Sequence, residues 1–202
     1  KKHKIEISMR KILGMKNEYR LVYTNFENFG TQEMTSGKFY PDTFQPNHKN
    51  LLIQNWIYGC TMVINNKLLN ITKEIPIEAI NHDNWIVNVA QIYGDIEYLD
   101  DVTVLHRIHE NNVTTSNTNP LLRRFKYLNK IILKKRENKF VLLKFLQKLV
   151  DIHLTVPLDK EYIYTFLSVL ENNRFSKIYV LIKNKYYAYS TMRTLLFYFT
   201  IL

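Results

Sequence analysis

The sequence predicts a mixed α/β region over residues 1–117 followed by an all-helical region over residues 118–202. Three observations lead there. Short apolar runs of strand length alternate with helix-spaced segments as far as Ile108. From Pro120 onward the apolar residues recur at helical spacing. Between the two lies Thr114-Thr115-Ser116-Asn117-Thr118-Asn119, a polar stretch that ends at Pro120 and carries the boundary.

The elements follow in order. Ile5, Met9, Ile12 and Leu13 have helical spacing, so a helix is predicted from His3 to about Met15, with Gly14 near its end. Leu21-Val22-Tyr23-Thr24 reads as a short strand, since β-branched and aromatic residues suit a pleated surface. Gly30 to Pro46, with Gly37, Pro41 and Asp42, reads as a long loop. A short helix is predicted over Asn50–Trp56 and a buried strand over Cys60–Ile64, started by Gly59. Asn81 to Tyr93 carries Trp85, Ile86, Val89, Ala90 and Tyr93, which makes an amphipathic helix closed by Gly94. Ile96–Leu99 and Val102–Ile108 read as two strands joined through a turn at Asp100-Asp101. In the tail, helices are expected over about 120–135, 139–154, 158–171 and 174–200, the last one broken.

Composition bounds the function. The 202 residues, 24.3 kDa, suffice for one domain or one domain with a helical appendage. With 46% hydrophobic and 23% charged residues the chain is neither disordered nor collagen-like. Five Gly and five Pro are too few for a many-turned barrel. No uncharged apolar run reaches the roughly 18 residues of a membrane-spanning helix, and Lys1-Lys2-His3-Lys4 leads into no apolar signal core. Cys60 stands alone, which excludes an internal disulfide and a multi-cysteine zinc site and points to a reducing interior. The start at Lys1 rather than Met reads as a piece of something longer.

Charge is unevenly placed. Residues 1–117 hold 12 basic and 13 acidic side chains, whereas residues 118–202 hold 16 and 5, so the net +10 arises in the tail. A basic, aromatic, helical segment reads either as a surface for anionic lipid or nucleic acid, or as the solvated face of a helical bundle. On a helix Arg123, Lys126, Lys130 and Lys134 fall on one stripe beside Arg124. No recognisable RNA- or DNA-binding module is present, so no nucleic-acid partner is expected.

Two constellations can carry chemistry. In Asn81-His82-Asp83-Asn84-Trp85, Asn81 or Asp83 can cap the following helix. Asp83 can alternatively accept a proton from a sugar hydroxyl, with the flat indole of Trp85 supporting the ring. In His106-Arg107-Ile108-His109, a strand would point Arg107 and His109 to one face, suited to a diphosphate or its metal complex; the alternative is a surface strand entering a polar loop. Cys60 inside an apolar strand reads as inert packing.

Taken in order, Gly59-Cys60-Thr61-Met62, His82-Asp83-Asn84-Trp85 and Arg107-Ile108-His109-Glu110-Asn111-Asn112, preceded by Leu21-Val22-Tyr23-Thr24, resemble the second half of a bacterial family 2 glycosyltransferase. The branch is the one that includes rhamnosyltransferases of cell-surface polysaccharide assembly, and the likeness covers about residues 1–117. It implies the second half of a GT-A mixed sheet on the acceptor side, with a basic helical extension over 118–202. It implies Asp83 as general base for inverting transfer from a nucleotide-sugar donor, such as dTDP-rhamnose, to a cell-surface glycan or lipid-linked acceptor. Gly59, Cys60, Thr61, Met62, His82 and Trp85 would line the acceptor side. Arg107 and His109 would approach the donor diphosphate and a divalent Mg or Mn ion, with His109 as a third ligand. The family's acidic metal motif and nucleotide-binding half lie before a helix resembling Lys4–Leu13 and are not in this sequence, so this chain alone is expected not to turn over donor. Arg123, Arg124, Lys126, Lys130 and Lys134 would hold the enzyme peripherally at the anionic inner face of the cell membrane. The alternative is a non-enzymatic basic module contacting nucleic acid or a protein.

Overall fold

Leu21 opens an apolar run longer than its first four residues suggest. In a computed structural model, which describes residues 1, 3–30, 38–44, 46–108, 135–152, 161–188 and 191–201, strand β1 spans Arg20–Gly30. Every residue from Leu21 to Phe26 is buried, the pattern of a strand covered on both faces. It is the centre of a three-stranded sheet. Antiparallel to it on one side runs the short β2, Met62–Ile64, and parallel to it on the other runs β3, Asp95–Ile108.

Two helices cover the sheet. Helix α1, Lys4–Gly14, sets Ile12, with Met15 just beyond its end, against Val22 on one face. The other face, with Leu21 and Tyr23, joins a larger core containing α3, His82–Tyr93. Between them come a 3₁₀ turn at His48–Leu52, a second at Gly59–Thr61, and helix α2, Asn66–Thr72, capped by Asn65. The fold is thus mixed α/β with an open mixed sheet.

The tail helices are α4, Lys135–Asp151; α5, Glu161–Glu171; α6, Arg174–Lys183; and α7, Thr191–Ile201. They extend the larger core. Trp85 meets Phe145 edge-to-face at 5.9 Å, the Tyr93 hydroxyl donates to Leu149 O at 2.5 Å, and Leu146, Val169, Leu181 and Tyr186 are buried in the same cluster. Among the described residues no helix is long and apolar enough to cross a membrane.

Several expectations are corrected. The strand-turn-strand over 96–108 is one strand: Asp100 and Asp101 form no turn but bulge out where the register slips between Thr24 and Phe26. The bulge is held because Asp100 accepts from Asn25 Nδ2, Tyr98 Oη and Lys38 Nζ. The segment around Cys60 is a 3₁₀ turn leading into a three-residue strand, and Cys60 is exposed. The helix expected over Asn50–Trp56 is the 3₁₀ turn, and α2 had no sequence expectation. The break expected within 174–200 is present: two helices are parted around Lys185, whose φ of 56° lies in the left-handed region. The predicted boundary near 117, the helix over 120–135 and residues 31–37 of the long loop lie outside the described residues.

Gly94 closes α3, but not through a left-handed conformation: its φ is −134°. A Cβ there would sit 2.1 Å from the carbonyl oxygen of Tyr19, where the chain entering β1 passes. Gly94→Ala should therefore destabilise the fold by about 3 kcal/mol or more through overpacking against backbone that cannot yield, read as a lowered denaturant midpoint. His48, packed on Tyr23 with ring centroids 6.0 Å apart, has its pKa pushed down to about 4 by burial, with Glu97 opposing weakly. An unfolded chain with its histidine near 6.5 takes up the proton first. The stability from neutral His48 is thus complete above about pH 6.5 and is lost as pH falls towards 4. The stability difference between the wild type and His48→Gln should shift against the wild type by up to about 1.4 kcal/mol per pH unit in that window, as urea titrations at neutral and mildly acid pH would record.

Candidate functional site

The start of α3 and the 3₁₀ turn at Gly59–Thr61 meet, although they are more than twenty residues apart. The Gly59 amide donates to Asp83 Oδ2 at 3.3 Å. A Cβ on Gly59 would lie 2.9 Å from His82 Nε2, so the glycine permits this closeness. The turn itself is pinned from three sides. Thr61 Oγ1 donates to Tyr58 O at 2.7 Å, Thr24 Oγ1 in β1 donates to Thr61 O at 3.4 Å, and Lys4 Nζ in α1 donates to Cys60 O at 2.6 Å and Met62 O at 3.2 Å. Partial burial holds the Lys4 pKa down and the Cys60 thiol up, with each group's effect on the other opposing burial. A thiol so held is a poor nucleophile.

The capping question has an answer in the geometry. Asn81 is the N-cap: its φ, ψ of −161°, 170° are extended, and its Oδ1 accepts from Asn84 N at 2.9 Å. Asp83 lies in the first turn, where the positive end of the helix dipole favours its charge. Its Oδ1 shares the Asn84 amide at 2.9 Å while Oδ2 takes Gly59. Each carboxylate oxygen retains a further lone pair.

Asp83 lines a cavity of about 750 Å³ together with Gln54, Asn55, Trp56, Tyr58, Asn81 and Arg193. A neighbouring cavity of about 400 Å³ shares Phe39, Gln54, Trp56 and Arg193 and adds Tyr40 and Phe44. The walls therefore combine flat aromatic and aliphatic faces with side-chain amides, one guanidinium and two carboxylates, Asp83 and Glu78. Burial raises the Tyr58 pKa, with the opposite charges of Arg193 and Asp83 acting on it in opposite senses. Rings from β1 and the following loop back this wall: Phe26 packs on Phe39 at 4.3 Å and Tyr58 at 4.9 Å.

Of the residues singled out in the sequence, Gly59, His82 and Asp83 come together, with Cys60, Thr61 and Met62 in and beside the same turn. Trp85 does not join them. It is 3% exposed, its indole N–H donates to Thr72 O at 3.2 Å, and its ring packs on Phe145. It belongs to the core and presents no face to a sugar. Arg107, exposed near the end of β3, lies with its guanidinium 5.4 Å from the Phe29 ring centroid. His109 and the stripe of Arg123, Arg124, Lys126, Lys130 and Lys134 lie outside the described residues. Among the described residues no three His, Cys, Asp or Glu side chains converge as metal ligands, so the Mg or Mn ion implied by the resemblance finds no ligand set in them.

Sequence reasoning missed Trp56, Tyr58 and Arg193. The first two stand directly before Gly59-Cys60-Thr61-Met62, so their proximity to the motif was a usable signal. Arg193 comes from α7, and nothing local connects it to Asp83. No protein-family model, curated protein or solved structure matches the chain.

Removing the cap and removing the carboxylate charge should separate. Asn81→Ala should cost about 1 kcal/mol, lowering Tm by about 2–4 °C for a chain of this size. Asp83→Asn keeps an oxygen acceptor and should cost only the helix-dipole contribution of about 0.3–1 kcal/mol. Thermal melts of the two variants side by side check this.

Proposed function

We propose that this chain is the acceptor-side portion of an inverting, family 2-like glycosyltransferase of the GT-A type, with Asp83 as its general base. The observation that carries the reading is the Asp83 carboxylate: it faces an aromatic- and amide-lined cavity while Asn81 supplies the helix cap. Each Asp83 oxygen accepts one backbone amide, from Asn84 and Gly59, and keeps a further lone pair that can take a proton. Aromatic faces such as Trp56 and Tyr58 match the apolar faces of pyranose rings, and the amides of Gln54 and Asn55 match their hydroxyls.

In this reaction the acceptor hydroxyl gives its proton to Asp83 as its oxygen attacks the anomeric carbon of the donor sugar. The bond from that carbon to the diphosphate breaks, and the nucleotide diphosphate leaves with the electron pair, inverting the configuration. Asp83, already anchored by the Gly59 amide, loses little freedom in reaching the hydroxyl. Arg107 is the candidate for the donor phosphates, a role suited to a planar cation. The nucleotide, and any Mg or Mn ion with it, is held on this reading by sequence outside these 202 residues. The donor is a nucleotide sugar, rhamnose being the sugar suggested by the resemblance, and the acceptor is a glycan or a lipid-linked saccharide.

The test is Asp83→Asn in an enzyme that carries its donor-binding half. Loss of a general base should lower kcat by about 10²–10⁴-fold with KM little changed. Activity within about threefold of wild type would falsify the assignment of Asp83. Tight binding of random-sequence DNA with a steep salt dependence, and no saccharide binding, would favour a non-enzymatic basic module instead.

A further inference from the structure

We propose that helix α6 is a docking surface for an anionic lipid bilayer, with Phe175, Tyr179 and Ile182 as its inserted side chains. This goes beyond the glycosyltransferase reading and does not rest on it. The three residues are 88%, 64% and 60% exposed. Their spacing of four and three places them within an arc of about 60° on a helix. The opposite side of α6 is already used, with Leu181 buried in the main core and Val180 packed against it. The outer stripe is therefore left over after the fold has taken what it needs. Three large apolar side chains in one row are more than scattered surface exposure produces.

Charge identifies the occupant. From Asn172 to Leu202 the chain contains Arg174, Lys177, Lys183, Lys185 and Arg193 and no Asp or Glu; Lys177 is buried and Arg193 lines the cavity, so the surface charge beside the stripe is that of Lys183 and Lys185. Lys183 and Lys185 are exposed at the C-terminal end of the stripe, and Lys183 Nζ lies 5.8 Å from the Tyr179 ring centroid. An apolar row ending in two exposed lysines, with acidic residues missing, is a combination that seats a helix in the headgroup region of an anionic leaflet. A second copy of this chain would oppose the same positive charge to itself, which disfavours self-association. The following helix α7 exposes Met192, Leu195 and Phe199 as well, so the apolar supply continues past the turn.

The experiment is co-sedimentation of the 202-residue chain with phosphatidylcholine vesicles made with and without phosphatidylglycerol, at low and high salt. The wild type should pellet with the anionic vesicles only and be released by salt. Phe175→Ser, Tyr179→Ser and Ile182→Ser combined should weaken partitioning by about tenfold or more, with an unchanged circular dichroism spectrum because the outer face carries no core contact. Lys183→Gln with Lys185→Gln should weaken it by roughly fivefold per charge. A wild type that ignores anionic vesicles overturns the proposal, as does a triple variant that pellets like wild type. Loss of binding only on glutamine replacement of Arg123, Arg124, Lys126, Lys130 and Lys134 would move the contact to that stripe and overturn it too. A dimer in analytical ultracentrifugation that the triple variant dissociates, without vesicle binding, would make the occupant a second copy. Saccharide binding and transfer are separate readouts, so failure here leaves the reading of Asp83 standing.

Discussion

The burial of β1 on both faces is the constraint from which the other features follow. Leu21 to Phe26 are enclosed, so each polar group in that stretch must find a partner inside the protein. Thr24 does so by pairing its hydroxyl with that of Thr103 at 2.6 Å and reaching Thr61 O. Asn25 does so with its whole amide: Nδ2 donates to Tyr40 O and Asp100 Oδ1, and Oδ1 accepts from Phe26 N and Tyr40 N. Those few bonds attach the loop at Tyr40, the bulge in β3 and the turn at Gly59–Thr61 to a single strand.

The cavity inherits its shape from these attachments. Asn25 holds Tyr40, and Tyr40 Oη donates to Trp56 O at 2.6 Å, so a buried amide in the sheet fixes the segment that forms the aromatic wall. Thr24 and Lys4 hold the turn whose first amide reaches Asp83. Asp83 is thereby oriented from the sheet as well as from its own helix, which is the arrangement a proton-accepting side chain needs if it is to meet a substrate with little reorganisation. The same economy explains why Asn81 rather than Asp83 is the cap: two acceptors compete for the Asn84 amide, and only Asp83 has a second oxygen within reach of Gly59.

The helical tail shares the core of the α/β part. Trp85 and Tyr93 on α3 meet it, one through its ring and one through its hydroxyl, and Asn50 Oδ1 accepts from Tyr187 N. An indole committed to holding α4 cannot also support a ligand. The tail also brings Arg193 to the wall of the cavity that Asp83 lines. Among the described residues the tail thus places positive charge in two settings, Arg193 at the cavity and Lys183 and Lys185 exposed at the end of α6.

By itself the sequence determined the helices with strong local period: α1, α3 with its Gly94 end and a cap at Asn81 or Asp83, and much of α4 to α6. Helical spacing and capping are local, so they can be read along the chain. It also brought Asp83 and the Gly59 turn to notice as candidate chemistry. What only the tertiary structure decided depends on partners distant in sequence. Asp100-Asp101 reads as a turn until Asn25, Tyr98 and Lys38 satisfy the carboxylate within a continuous strand. Trp85 reads as a ligand surface until Phe145, sixty residues on, covers it. Cys60 reads as strand packing until Lys4 and Thr24 fold its backbone into a turn. Arg193 carries no local sign at all, because its place in the cavity wall is set by how α7 packs.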